Sequence, residues 1–326
     1  MRRALNAVVL IAIALAGSVI ARAGVAPPVA NPAASATVSD EAEFAIPTRK
    51  DRIGRILAPV FVNGRGPYRF MVDTGANSSV ISPRLADELG LAPTPNSERA
   101  TVHGVTGMRE APTVAIASLR ADRIERVNLR LPVIDGGVLL DADGVFGADA
   151  LVGRRLLVDF VDDRIEIAPS GRARPLPGSV KISGTLRFGQ LLMTRARVSG
   201  VSVAAVIDTG AERTIGNRAL LEALRAKRAG MKEFGAVMFS GASGIAMSGE
   251  LIFTPLVDMG GLQVANIPLV IADAHVFDVW RLKNEPALLV GMDVLGQARA
   301  MAIDYRRSEM ELVLDPANAT AARRKR

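Results

Sequence analysis

The sequence contains no cysteine and only two histidines, His103 and His275, among its 326 residues. The lack of cysteine excludes thiol catalysis, cysteine metal sites and a disulfide framework. Two histidines leave little material for a zinc hydrolase or a serine–histidine relay. Acid–base chemistry in this protein therefore has to come from carboxylates, and we expect neither a metal ion nor an organic cofactor.

Aromatic residues are also scarce, at 4%, although hydrophobic residues make up 49% of the chain. The cores must therefore be built mainly from aliphatic side chains. The formal net charge is +7, but part of it lies in two terminal segments, residues 1–23 and the closing run 323–326. A short basic tail is typical of a solvated chain end, so the charge does not indicate a nucleic-acid partner.

The N-terminus has the three-part order of a secretory signal peptide. A charged start precedes an apolar run over residues 4–20, and the small-x-small triplet 21–23 follows it. Cleavage after Ala23 predicts export across the inner membrane and a periplasmic protein free of the membrane. A retained membrane anchor is the alternative, because the run approaches the roughly 20 residues that span a bilayer.

An internal duplication organises the rest of the chain. The offset between the copies grows only from 208 − 73 = 135 at the first block to 304 − 159 = 145 at the last. One domain has therefore been duplicated, and the second copy has gained about ten residues, most of them near HVFDVWRLKNEPA. The blocks, in order, are FMVDTGANSSVIS and AVIDTGAERTIGN, VHGVTG and FSGASG, GVFGADAL and LLVGMDVL, and LLVDFVDDRIEI and AMAIDYRRSEMEL.

The duplication and the composition together predict the domain boundaries. Residues 24–50 have no sustained period and indicate a flexible leader, and APSGRARPLPGSV is dense in Pro, Gly and Arg, as expected of a linker. The predicted segments are a signal peptide over 1–23, the leader over 24–50, a first lobe over 51–170, a linker over 171–180, a second lobe over 181–315 and a basic tail over 316–326.

The local pattern predicts an all-β fold with a few short helices. Short β-branched runs such as ILAPVFV, AAVID and VANIPLVIA are bounded by Gly, Pro or Asn, as strands are. Ser82 followed by Pro83 predicts the start of one helix, and Asn217 predicts the start of another. A further short helix is predicted after each GAD or GMD block.

Both DTGA blocks follow three apolar residues, which places Asp73 and Asp208 where a buried strand ends in a turn. The glycine two residues later permits a tight turn and the close approach of a second loop. The intervening threonine can hydrogen bond to that loop. One such motif has little meaning, whereas two in a matched context are far more specific. The alternative is a pair of aspartate-capped turns that serve only the fold.

The repeated DTGA block, the later glycine-containing hairpin and the apolar-apolar-Gly block before a short helix resemble retropepsin-like aspartic proteases. SPRLADELG after the first motif is similar to the bacterial secreted branch. The resemblance covers nearly all of residues 51–315 and implies two retropepsin-like lobes related by a pseudo-two-fold axis. It implies that Asp73 and Asp208 share one proton and activate a water molecule. It assigns support of the two loops to Thr74, Gly75, Ala76, Thr209, Gly210 and Ala211.

The same resemblance implies that the two Gly-containing hairpins are flaps that close on substrate and exclude water. Plain β-turns are the alternative. Retroviral members usually have aspartate after the alanine, where this chain has Asn77 and Glu212, so the halves should read different substrate groups. Arg213 either neutralises Glu212 or forms only a surface ion pair with it. The predicted substrate-binding residues are His103, Gly104, Val105, Gly241, Ala242, Ser243, Asn77 and Glu212.

These observations favour a metal-free aspartic endopeptidase that acts as a monomer on an extended peptide or protein segment. Two alternatives stay open at this point. The lobes could form a catalytically silent peptide-binding module, although Asp-Thr-Gly is intact in both copies. They could also pair between chains, which would give a dimeric protease with two sites.

Overall fold

A computed structural model describes residues 55–121, 124–135, 139–171 and 174–314, together with the backbone of four short strands before them. Those strands are Val8–Ile11, Leu15–Ala16, Ile46–Pro47 and Arg49–Lys50. The predicted signal peptide, leader and basic tail lie largely outside the described residues. Within the described part of the chain, every helix is too short or too polar to span a bilayer.

The first lobe is mainly β, and the strand that ends at Asp73 lies in the interior of its sheet, with a neighbouring strand on each side. Helix Pro83–Glu88 and the short 3₁₀ helix Ala148–Leu151 accompany this sheet. The strands are Ile56–Val62, Arg65–Asp73, Val80–Ile81, Arg99–Gly104, Gly107–Ala121, Ile124–Pro132 and Gly144–Gly147.

Among the described residues, the second lobe repeats this arrangement with one extra helix. Its helices are Arg218–Ala226, His275–Val279 and Met292–Leu295. Its strands are Thr185–Arg187, Leu191–Val198, Val201–Ile207, Ile215–Gly216, Lys232–Ser240, Ala246–Met259, Leu262–Ile271 and Ala287–Val290.

A third sheet joins the two lobes. The strand Arg154–Asp159 of the first lobe pairs antiparallel with Ala298–Asp304 of the second, with Leu157 opposite Ala302. Because backbone hydrogen bonds cross the boundary, the two lobes share a sheet and are not connected by the linker alone. The sheet is completed by Arg164–Pro169, Val180–Ser183, Glu309–Leu314 and Ile46–Pro47.

The local predictions for the helices agree with the structure. The Ser82 hydroxyl accepts a hydrogen bond from the Leu85 N–H at 3.1 Å, and Asn217 Oδ1 accepts one from the Leu220 N–H at 2.9 Å. A short helix begins at the second residue of each of the GAD and GMD blocks. The mainly β fold with two similar lobes is therefore confirmed, whereas the helix His275–Val279 within the extra segment of the second lobe was not predicted.

Strand pairing fixes where each lobe presents its aspartate. Gly144–Gly147 lies parallel to the end of Arg65–Asp73, with Gly147 opposite Asp73. In the second lobe Ala287–Val290 lies parallel to Val201–Ile207 in the same way. These strands are buried along the paired residues, which is why they read as unbroken apolar runs. Each aspartate stands at the end of a strand that packing holds in place.

Candidate active site

Asp73 and Asp208 meet at the boundary between the lobes, where both side chains are fully buried. Each carboxyl group affects the protonation of the other. Asp73 Oδ1 accepts the Gly75 N–H and Asp208 Oδ1 accepts the Gly210 N–H, each at 2.8 Å. The Oδ1 atom of each carboxyl group is thus held by a hydrogen bond within its own loop, and the two loops bring the acids close together.

The glycine of each DTG loop lies against the carboxyl group of the other lobe. A Cβ atom on Gly75 would be 2.3 Å from Asp208 Cγ, and a Cβ atom on Gly210 would be 2.4 Å from Asp73 Cγ. No real Cβ contact is that short. Glycine is therefore required at both positions by the close approach of the two loops.

The two threonines lock the loops together with four buried hydrogen bonds. The Thr74 N–H donates to Thr209 Oγ1 and the Thr209 N–H donates to Thr74 Oγ1, each at 3.1 Å. The Thr74 hydroxyl donates to the Ile207 carbonyl at 2.9 Å, and the Thr209 hydroxyl donates to the Val72 carbonyl at 2.7 Å. Each hydroxyl group serves as both a donor and an acceptor. All four hydrogen bonds join one lobe to the other.

Burial raises the pKa of both acids. The pKa of Asp73 is raised to about 6, while its hydrogen bond with Asp208, backbone N–H groups and the charge of Arg55 act in the opposite direction. Burial and then the charge of Asp73 raise the pKa of Asp208 well above its ordinary value. Neither Oδ2 atom receives a hydrogen bond from a donor in the described residues. This arrangement favours one proton shared by the pair of acids.

A second pair of aspartates, which the sequence reasoning missed, helps to connect each Asp-Thr-Gly segment to the later glycine block of the same lobe. Ser79 Oγ accepts the Gly147 N–H at 3.1 Å and donates to Asp149 at 2.9 Å. In the second lobe Thr214 Oγ1 accepts the Gly291 N–H at 3.1 Å and donates to Asp293 at 2.6 Å. The signal was present in the duplicated blocks, because GAD and GMD both carry an aspartate two residues after the glycine.

The tips of the two hairpins meet each other. The hydroxyl groups of Thr106 and Ser243 lie 2.8 Å apart, and a Cβ atom on Gly104 would be 2.8 Å from the Ser243 nitrogen. Gly241 is buried beside them. Val105 is buried in an apolar cluster of second-lobe residues, and Ala242 in a cluster of first-lobe residues. Each tip therefore packs into the opposite lobe, which the sequence pattern did not reveal.

The remaining predicted substrate-binding residues have partners inside the protein. His103 Nδ1 lies 2.9 Å from Nε2 of His275. The Asn77 side-chain amide donates to the Phe188 carbonyl of the second lobe at 2.9 Å. Glu212 lies 3.4 Å from its neighbour Arg213. Asn77 and Glu212, at matching positions of the two lobes, thus have different surroundings.

The described residues contain no group of three or more His, Asp or Glu side chains that could hold a metal ion. Two further buried residues, Arg55 and Tyr305, interact electrostatically with Asp73. The charge of Arg55 lowers the pKa of Asp73, and burial, followed by the charge of Asp73, raises the pKa of Tyr305.

Comparison with known proteins gives one family. The family model described as aspartyl protease matches the chain twice, over residues 58–150 and 194–294. The two matches correspond to the two lobes, and each contains one Asp-Thr-Gly block. No curated protein matches the chain. The two matches cover more than half of the sequence, so this protein belongs to the aspartyl protease family, with two tandem retropepsin-like lobes in one chain.

Proposed function

We propose that this protein is an aspartic endopeptidase in which Asp73 and Asp208 activate a water molecule to hydrolyse peptide bonds. The observation that carries the proposal is the close approach of the two acids within one chain, where each lies against the loop glycine of the other lobe. A lone carboxylate has no proton-sharing partner, whereas this pair can act as base and acid at once.

In the proposed reaction, ionised Asp73 takes a proton from water as the water oxygen bonds to the peptide carbonyl carbon. Protonated Asp208 gives its proton to the carbonyl oxygen, which forms a neutral tetrahedral diol. The diol then collapses: the carbon–nitrogen bond breaks, the nitrogen gains the proton held by Asp73, and a diol hydroxyl returns a proton to Asp208. The carboxyl pair ends in its starting protonation state, and no metal ion or redox partner is needed.

The substrate we propose is an extended peptide segment that lies between the dyad and the two hairpins. The hairpins meet at Thr106 and Ser243, so their separation is the natural route for a chain to enter. Closure over a bound segment would exclude water from the site. The different surroundings of Asn77 and Glu212 support a preference for an asymmetric peptide sequence.

The intramolecular contact of the acids also supports an enzyme that works as a monomer. All four threonine hydrogen bonds form between lobes of the same chain, so the site needs no second copy. We further propose that the protein acts outside the cytoplasm, in keeping with the signal-like N-terminus. A catalytically silent module is the less favoured function, because both carboxyl groups and both loop glycines are intact.

The test is cleavage of a peptide library by the parent protein, by Asp73→Asn, by Asp208→Asn and by the double variant. Each single change should abolish hydrolysis, and the double variant should be no worse than either single one, because the acids act as a unit. Asp162→Asn, which changes an exposed aspartate, is the matched control and should keep full activity. EDTA should have no effect, because two histidines and no cysteine supply few ligands for a catalytic metal ion.

Half of the parent activity in each single variant would instead mean two independent sites. No hydrolysis by a folded parent protein across the library would favour the silent module. A parent activity that EDTA abolishes would contradict the metal-free mechanism.

A further inference from the structure

The only two histidines of the chain touch each other. His103 Nδ1 lies 2.9 Å from His275 Nε2, and the two rings are nearly parallel, with an angle of 8° between their planes and 5.2 Å between their centroids. His103 lies in the first strand of the first hairpin, and His275 begins the helix His275–Val279 of the second lobe. The contact therefore joins a flap to the opposite lobe.

Two hydrogen bonds beside this contact also hold the tip of the first hairpin against the second lobe. The His275 N–H donates to the Val105 carbonyl at 2.8 Å, and the hydroxyl groups of Thr106 and Ser243 lie 2.8 Å apart. The helix that begins at His275 belongs to the extra segment of the second lobe and has no counterpart among the described residues of the first lobe. The first hairpin is thus fastened to this helix of the second lobe, and the histidine contact has to break when the tip moves away.

The chemistry of two imidazoles makes this contact dependent on protonation. A hydrogen bond between them needs one N–H and one lone pair, which a neutral or a singly protonated pair can supply. A doubly protonated pair offers only N–H groups and two like charges. Burial and the charge of His275 lower the pKa of His103, and the charge of Glu110 on the returning strand acts in the opposite direction.

The other charged groups nearby do not replace the lost bond. Glu110 accepts from the Thr101 hydroxyl at 2.5 Å. On the helix side Asp273 is exposed and Asp278 pairs with Lys283 at 3.2 Å. The strand Val8–Ile11, which pairs alongside residues 101–104, carries no charged residue.

We propose that His103 and His275 form a pH-sensitive latch that holds the first hairpin closed on the second lobe and releases it when both rings are protonated. The sign follows from linkage, because the closed state disfavours the second proton. Closure is therefore stable at the higher pH and is lost as the pH falls. The inference rests on the proposed function only in treating the hairpins as flaps, and hairpin movement can be measured in a protein that does not hydrolyse anything.

The absence of cysteine makes a direct measurement possible. Met108 and Met238 lie on different hairpins and are 59% and 57% exposed, so Met108→Cys and Met238→Cys allow two spin labels to be attached. The full chain would carry Asp73→Asn and Asp208→Asn, which remove both hydrolysis and titration of the dyad. The distance distribution between the labels would be measured from about pH 7.5 to about pH 4.5, across the range where histidine titrates.

We expect one closed population at the higher pH and a second, longer distance at the lower pH. The ratio of open to closed protein should rise about tenfold for each unit by which closure lowers the histidine pKa. His275→Gln and, separately, His103→Gln keep a side chain that can hydrogen bond but prevent double protonation, so the pH response should disappear in both. Circular dichroism at each pH would show that every protein compared is folded.

A distance distribution that does not change with pH in the parent would overturn the latch. The same pH response in both glutamine variants would overturn it too, since the movement would then depend on other groups. If only one variant folds, it decides the question alone. Peptide hydrolysis by the protein with its native dyad is a separate measurement, so failure of the proposed activity cannot be confused with failure of the latch.

Discussion

Gly75 of the first lobe lies directly against the carboxyl group of Asp208 in the second, so closely that a Cβ atom on Gly75 would be 2.3 Å from Asp208 Cγ. Gly210 has the same relationship to Asp73, at 2.4 Å. The carboxyl pair and the contact between the lobes are consequently one structure. Any change that separates the loops also separates the acids.

Gly75→Ala should therefore lower kcat/KM by about a hundredfold or more, because a displacement near 1 Å at a catalytic group costs about that much. The protein should also be less stable, since the added methyl group has no space. Gly171→Ala is the matched control, because a Cβ atom there would meet nothing closer than 3.9 Å. Steady-state kinetics and thermal unfolding would measure both effects, and equal behaviour of the two variants would contradict the close approach of the loops.

The threonine hydrogen bonds give a second prediction. Thr209→Val removes a hydroxyl that accepts the Thr74 N–H and donates to the Val72 carbonyl. Both groups are left buried without that partner, which costs roughly 1–3 kcal/mol for each. Thr209→Ser keeps the hydroxyl and should recover most of the free energy of unfolding and most of the activity. Urea denaturation of the three proteins would decide, and a stable, fully active valine variant would show that the hydroxyl is dispensable.

The sequence was sufficient for the features that depend on neighbouring residues. Ser82 and Asn217 begin helices because their side chains can satisfy the first free backbone N–H groups. The two Asp-Thr-Gly blocks revealed the duplication, and an apolar run before each block placed the aspartate at a strand end. Periodicity and capping are local properties, so one sequence is enough to recognise them.

Contacts between distant segments were not predictable in this way. Val105 packs into the second lobe and His103 meets His275, which is 172 residues away. The helix His275–Val279 has no side-chain N-cap hydrogen bond, so its first residue could not be recognised from a capping residue. Asp149 and Asp293 were visible in the repeat, but their bonds to Ser79 and Thr214 depend on how the loops stack. Such pairings are set by tertiary packing, which a local sequence pattern does not predict.

The raised pKa values of the dyad predict how stability depends on pH. An unperturbed aspartate has a pKa near 3.9, whereas burial raises the pKa of Asp73 to about 6 and raises that of Asp208 as well. The folded protein therefore binds more protons than the unfolded chain above about pH 4, so the contribution of the dyad is present below that pH and is lost as the pH rises through the folded values.

The double variant Asp73→Asn and Asp208→Asn should lack this loss. The difference between its free energy of unfolding and that of the parent should therefore shift in favour of the variant as the pH rises from about 4 to about 8. Asp162→Asn changes an exposed acid and should follow the parent at every pH. Urea denaturation at a series of pH values would measure the difference, and parallel curves for the parent and the double variant would show that the acids are not perturbed.

Arg55 should decide which member of the dyad is ionised. It is fully buried, and its charge lowers the pKa of Asp73. The main causes that shift the pKa of Asp208 are instead burial, the neighbouring Asp73 and the backbone N–H groups of Gly210 and Ala211. Arg55→Met should therefore raise the pKa of Asp73 and move the acid limb of the kcat/KM profile upward by on the order of one pH unit. Arg55→Lys keeps the charge and should leave the limb near its parent position, even if both variants are less stable. An unmoved limb in a folded, active Arg55→Met protein would reduce Arg55 to a structural role.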